Sequence, residues 1–216
     1  MSVVVIGLNH RTVPLDLLER LTIDDAHLPK ALHDVVSRDH VSEAVVLSTC
    51  NRTEVYAVAE KFHPAYADLR NFLSEMAFLP PEAFADHLYV HDGAEAASHL
   101  FAVASGIDSA VVGEAEILGQ VRHAWERAQE EGVAGSRLNL LFRHALETGK
   151  RARTETGIGR HVASVSTAAV AMAAEHLGHL EGRAVLVLGA GEMGDGMVRA
   201  LAAKGIDDVR IANRTR

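Results

Sequence analysis

At 216 residues and 48% hydrophobic content, the chain is long enough for one or two domains with filled cores. No apolar run approaches the roughly 20 residues a membrane span needs, which excludes a spanning helix. The formal net charge of -8 argues against a general nucleic-acid binder, although a local basic patch can serve an RNA substrate whatever the sum.

Met1 to Gly7 lacks a basic leader and reads as a first strand, Val3 to Leu8, rather than a signal peptide. Leu15 to Arg20 and Leu28 to Ser37 read as helices, the second opening near Pro29. Two strands follow, Ala44 to Ser48 and Val55 to Ala59, flanking the segment Ser48-Thr49-Cys50-Asn51-Arg52-Thr53-Glu54. Cys50 is the only cysteine, so it makes no internal disulfide, and a chain of this kind suits a reducing cytoplasm. The residues alone leave two readings of Cys50. It is either a small buried hydrophobe or a nucleophile delivered to a strand end, where Arg52 would favour the thiolate. Pro64 to Met76 reads as a helix, with Leu69, Phe72, Leu73 and Met76 at helical spacing, and His87 to His91 as a fourth strand. The order β-α-β-β-α-β is that of the ferredoxin-like split βαβ arrangement, an α+β fold.

Ala94 to about Thr156 reads as successive helices broken at Gly106, Gly113, Gly132 and Gly135. His99 lies on the first of them. A helical histidine is more often structural than reactive, although imidazole suits proton transfer. Glu114 and Glu116 fall between glycines at a helix start, where acidic residues are also ordinary capping chemistry. The basic residues from Arg143 to Arg160 read as a solvated helix face. The thirteen histidines form no metal pattern with Cys50, so no zinc site is expected.

Val162 to Leu177 is a further helix. The strand Arg183 to Leu188 then meets Gly189-Ala190-Gly191-Glu192-Met193-Gly194 and a helical pattern from about Asp195 to Lys204. Strand, Gly-x-Gly-x-x-Gly and helix in this order are the dinucleotide-binding context. The glycines permit the turn, the approach of a pyrophosphate and close helix packing, and the helix N-terminus supplies amide donors. Val209 to Ala212 is the next strand. Its end, where NAD sites carry an acidic residue for the ribose, holds Asn213 followed by Arg214, Thr215 and Arg216. Asp207 and Asp208 come too early. A neutral residue followed by arginines suits a 2′-phosphate and favours NADPH. A single βαβ unit is not a whole dinucleotide domain.

A thiol and a dinucleotide turn in one chain suit thioester reduction. The sequence resembles the glutamyl-tRNA reductase family in five separated segments. These are Gly7-Leu8-Asn9-His10-Arg11-Thr12-Val13-Pro14-Leu15, the cysteine segment, Gly106 to Gln120 (Gly106-Ile107-Asp108-Ser109 through Gly113-Glu114-Ala115-Glu116-Ile117-Leu118-Gly119-Gln120), the glycine turn, and Asn213-Arg214-Thr215-Arg216. The resemblance implies a ferredoxin-like catalytic domain over residues 1–160, followed over 161–216 by the start of an α/β Rossmann-type NADP-binding domain. It implies that Cys50 attacks the ester of glutamyl-tRNA(Glu) and that His99 assists. Thr49, Asn51, Arg52, Ser109, Glu114, Ala115, Glu116 and Gln120 would meet the substrate, Ala115 through its backbone. Gly189, Ala190, Gly191, Glu192, Met193, Gly194, Asn213, Arg214 and Thr215 would meet NADPH.

The family also carries further strands and a long helical dimerisation domain, so the sequence is expected to be a piece of a longer homodimeric protein without full turnover of its own. The product, glutamate-1-semialdehyde, would pass to an aminomutase. Two other readings stay open on the residues: a dehydrogenase in which Cys50 is merely buried, and a non-catalytic module that sequesters acylated tRNA or a regulatory partner.

Overall fold

A computed structural model describes residues 1–159 and 164–214; Arg160, Val162, Thr215 and Arg216, which carry part of the sequence reading, lie outside the described residues. The first unit runs β1 (Ser2–Asn9), α1 (Leu15–Leu21), α2 (Leu28–Val36), β2 (Val41–Thr49), β3 (Arg52–Ala59), α3 (Phe62–Ala77), β4 (Tyr89–Asp92), α4 (Gly93–Ala104), α5 (Glu116–Glu130) and α6 (Ser136–Glu155). Its sheet has the order β2-β3-β1-β4, and every neighbouring pair is antiparallel. β1 and β2 therefore run parallel with β3 between them, and β3 and β4 run parallel with β1 between them. Every residue of β3 is buried, so both faces of the sheet are covered. α3 contacts both α1 and α2, the helices α4–α6 contact one another, and both groups pack on the strands.

The apolar pattern explains most of this. α2 buries Leu28, Ala31, Leu32 and Val35, a one-face stripe that meets β2. α3 buries Leu69, Phe72 and Leu73 as its spacing predicts, although it begins two residues before Pro64. The glycine-broken stretch resolves into α4, α5 and α6, with residues 105–115 as an irregular connection. Glu43, at the irregular point of the β2–β3 register, reaches the start of α6 and accepts from the Leu138 amide at 2.9 Å and the Arg137 amide at 3.3 Å. A side chain from the sheet thus caps a helix whose own N-cap, Gly135, has none to offer.

The second unit has its own small core of Val170, Leu180, Val187, Ala200, Leu201 and Ile206. It comprises α7 (Val165–Leu177), β5 (Val185–Leu188), α8 (Glu192–Ala202) and β6 (Val209–Ala212). β5 and β6 pair in parallel across α8. Leu186, Leu188 and Ile211 are exposed on these two strands. α8 begins at Glu192, three residues before the expected Asp195, because Gly191 itself is the N-cap and accepts the first helical bond from Asp195 N–H. Among the described residues no helix is long and apolar enough to cross a membrane.

Candidate functional site

β2 and β3 pair to the last residue, Thr49 opposite Arg52, which leaves Cys50 and Asn51 as a two-residue loop. The loop is held by its flanks. Thr49 Oγ1 accepts from the Asn51 amide at 3.1 Å and the Arg52 amide at 3.2 Å, a hydroxyl-capped turn. The Asn51 carbonyl accepts from His10 N–H at 2.9 Å. Cys50 is free and exposed. The reading in which it is a buried hydrophobe is thereby corrected: at the tip of the hairpin the thiol lies at the mouth of a cleft, partly shielded but not enclosed in the core.

Cys50 opens into a cleft of about 660 Å³. Ser48 and Thr49 form its floor beside the thiol. Glu116, Gln120 and His123 of α5 form one wall, and Ser166, Met193 and Gly196 of the second unit form the other. Glu116, Gln120 and His123 lie at i, i+4 and i+7, one face of the helix. The cleft sets the chemistry of the thiol. Withdrawal from water, then the charges of Glu114 and Glu116, push Cys50 above its ordinary pKa. The expectation that Arg52 favours the thiolate is therefore overturned. Removing one of these carboxylates should reverse part of the effect. Glu116→Gln is expected to raise the rate of Cys50 alkylation by iodoacetamide at pH 7.5 by about two- to fivefold, since a unit of thiol pKa is a factor of ten in thiolate. An unchanged rate would mean that Glu116 does not act on the thiol.

Arg52 is committed elsewhere because β-strand alternation turns Arg52, Glu54 and Tyr56 to one face. The Arg52 side chain is 1% exposed. Its guanidinium donates to Glu54 Oε1 at 2.7 Å, to Asp108 Oδ2 at 3.2 Å and to the Asp108 carbonyl. Glu54 also accepts from Tyr56 and Tyr89 and faces His99 Nε2 at 2.9 Å. Burial pushes the Glu54 carboxyl up, but the His99 hydrogen bond and the Arg52 charge outweigh it and hold the group at about 2. The expected substrate contacts Thr49 and Arg52 thus both have protein partners here.

The connection at residues 105–115 is tied down from three sides. Arg52 and Arg11 hold Asp108, and Arg153 of α6 donates to the carbonyls of Gly113 and Glu114. Ser109 and Glu114 on it are buried. Burial, then Glu116, pushes the Glu114 carboxyl up; Ser109, whose hydroxyl has no hydrogen-bond partner among the described residues, offsets part of this. Ala115 is the N-cap of α5 and makes no side-chain cap hydrogen bond.

Of the residues named from the sequence, Thr49, Cys50, Glu116, Gln120 and Met193 meet in one cleft, and the charge of Glu114 also acts on the thiol. Arg52 and His99 stand instead in the buried network. The reading passed over Glu54, Tyr89, Asp108 and Arg153, and His123, whose Nε2 lies 2.8 Å from Asp25. Glu54 gave no signal in the sequence, where Arg52 to Glu54 precede the expected strand at Val55; only the structure extends β3 back to Arg52.

The glycine turn fits a dinucleotide. Gly189 has φ +106°, a backbone that favours glycine, and a Cβ on Gly194 would run into the Gly189 carbonyl oxygen. A Cβ on Gly191 would project into open space at the N-terminus of α8, where a pyrophosphate needs room. Asn213 and Arg214 follow the last paired residue of β6, beside Gly189, whose amide donates to the Ala212 carbonyl. Among the described residues no group of three His, Cys, Asp or Glu side chains is placed to hold a metal.

Fold and site together define a mixed α/β protein in which an exposed thiol and Met193 of the glycine turn of a βαβ unit line one cleft. Comparison with known proteins agrees. Residues 6–156 match the family described as glutamyl-tRNAGlu reductase, N-terminal domain, and residues 171–216 match shikimate / quinate 5-dehydrogenase. Glutamyl-tRNA reductases from Geobacillus thermodenitrificans and Salinispora arenicola are 44% and 48% identical to this chain. The matches cover 100% and 99% of the chain and 47% of each relative. The solved glutamyl-tRNA reductase from Methanopyrus kandleri superposes with a TM-score of 0.65 at 38% identity, over 99% of this chain and 49% of that one. The chain belongs to the glutamyl-tRNA reductase family and spans about half the length of the curated relatives it matches.

Proposed function

We propose that this chain carries the acyl-accepting site of an NADPH-dependent glutamyl-tRNA reductase, the first step of five-carbon tetrapyrrole synthesis. Residues 1–160 form the substrate domain, which we read as ferredoxin-like from its element and strand order, and residues 161–216 begin a Rossmann-type NADP-binding domain. The observation that carries the reading is the single cleft shared by Cys50 and Met193 of the glycine turn. The Cys50 thiolate attacks the ester carbonyl of glutamyl-tRNA. A carbon–sulfur bond forms, the bond to the terminal ribose oxygen breaks, and that oxygen leaves with a proton. Thr49 keeps the loop rigid, so the sulfur needs no reorganisation to reach the carbonyl. Glu116 and Gln120 on the cleft wall, with Ser109, Glu114 and Asn51 around it, orient the glutamyl group. An α-ammonium brought near Glu114 and Glu116 would also cancel the repulsion that disfavours the thiolate.

When bound, NADPH supplies the hydride that converts the thioester to glutamate-1-semialdehyde and frees the thiol. Gly189 to Gly194 would hold its pyrophosphate, and Asn213 and Arg214 its 2′-phosphate end. A cytoplasmic setting, a homodimer of the whole protein and delivery of the aldehyde to the aminomutase belong to the same reading. The test is single-turnover release of tRNA from glutamyl-tRNA by this chain without cofactor. Stoichiometric release is expected. Retention of intact glutamyl-tRNA without release would favour a sequestering module instead.

A further inference from the structure

Among the described residues Glu54 is the most enclosed charged side chain, and the acyl-transfer chemistry above makes no use of it. Its side chain is 0% exposed, yet it gathers four side chains from three elements. Oε1 receives Arg52 Nη1 at 2.7 Å and the Tyr89 hydroxyl at 2.6 Å, and lies 2.9 Å from His99 Nε2; Oε2 receives the Tyr56 hydroxyl at 2.5 Å. The His99 ring is packed as well as bonded. Its centroid lies 5.0 Å from His91 and 5.2 Å from Tyr89. A buried ion pair with no further task is often no better than an apolar pair of the same volume. Four convergent partners on one carboxylate, one of them an imidazole, suggest a positional task.

We propose that Glu54 is a positioning residue for His99: it fixes the ring with its proton on Nε2 and leaves Nδ1 as the only acceptor of the neutral imidazole. This rests on the functional reading above together with the family resemblance, which implies that His99 assists at Cys50. The logic is one of donors and acceptors. An ionised carboxylate only accepts. Arg52 only donates. Burial pushes both phenols well above their ordinary range, so Tyr56 and Tyr89 donate too. Every contact to Glu54 must then carry a hydrogen, including Nε2 of His99. The opposite tautomer would set a lone pair against a carboxylate in a site closed to water, where unpaired polar contacts are most costly. The same carboxylate binds Arg52, which binds Asp108. Glu54 thereby couples the ring of His99 to the segment that carries Ser109 and Glu114.

The experiment uses the whole chain with ¹⁵N-labelled histidine, the His99 ring being assigned by its loss in His99→Gln. In the neutral ring of the wild-type chain, read at a pH above which the ring shifts no longer move, Nε2 is expected to give the protonated, pyrrole-type shift and Nδ1 the unprotonated, pyridine-type shift. Glu54→Gln keeps the shape but adds an amide donor. It is expected to mix the two tautomers and to slow single-turnover tRNA release by roughly ten- to a hundredfold, the range seen when the partner that orients a metal-ligating histidine is lost. Glu54→Asp is expected to restore the Nε2–H form and part of the rate. A merely structural carboxylate would lower stability without moving the ring proton. An Nδ1–H ring in the wild-type chain overturns the proposal, whether or not the variants fold. So does a folded Glu54→Gln variant with the wild-type tautomer and rate. If the wild-type chain releases no tRNA, the functional reading fails on that result, and the ring proton still decides the task of Glu54.

Discussion

Cys50→Ser is expected to reduce single-turnover release of tRNA on the order of a thousandfold or more, with stability within about 0.5 kcal/mol of the parent chain. The two halves of this expectation come from one piece of geometry. Cys50 is the tip of a two-residue loop whose ends are tied by the Thr49 hydroxyl to the amides of Asn51 and Arg52. Nothing in that arrangement requires sulfur, and serine occupies nearly the same volume. The chemistry does require it, since a serine hydroxyl in a cleft that already disfavours a thiolate has no reason to ionise. A stable serine variant with undiminished release would remove the covalent step.

Arg52→Ala is expected to destabilise the chain by about 3–5 kcal/mol, because it leaves the Glu54 carboxylate buried without its cation. Urea unfolding at pH 7 measures this. The pH dependence follows from the same pair. Glu54 is held at about 2 in the folded chain, below its ordinary value of 4.5. A depressed carboxyl stabilises the fold fully above its unfolded pKa and loses that contribution as pH falls toward the folded one. The wild-type chain should therefore lose this contribution between about pH 5 and pH 2, and in Arg52→Ala, where the folded value moves up toward the unfolded one, the loss should be smaller and end at higher pH. A change below 1 kcal/mol would contradict the structural role of Arg52 and leave substrate contact as its main task.

Much of the architecture is legible in the sequence because alternation and helical spacing mark it. The strands at Val3, Ala44 and Val185 and the stripe on α3 are apolar on the buried side, and glycines punctuate the stretch from α4 to α6. The start of β3 is not legible in that way. Arg52, Thr53 and Glu54 read as a polar loop after Cys50, but they are strand residues, fully buried, whose charges satisfy one another. A hydrophobicity pattern cannot register a buried ion pair. The same blind spot sent Arg52 toward the thiol, when its distant partner was Asp108, some 56 positions away. Cys50, Glu116, Gln120 and the glycine turn could be named as site residues from motifs, but their meeting in one cleft depends on how α5 and α8 pack.

The central claim is that Cys50 accepts the acyl group. Its most direct test is mass spectrometry of this chain after brief incubation with glutamyl-tRNA in the absence of NADPH, quenched in acid to preserve a thioester. The account predicts one glutamyl mass increment, confined to the peptide that contains Cys50, removed by hydroxylamine and missing in Cys50→Ser. Release of tRNA with free glutamate and an unmodified Cys50 at every time point, or the increment on any other residue, would contradict it.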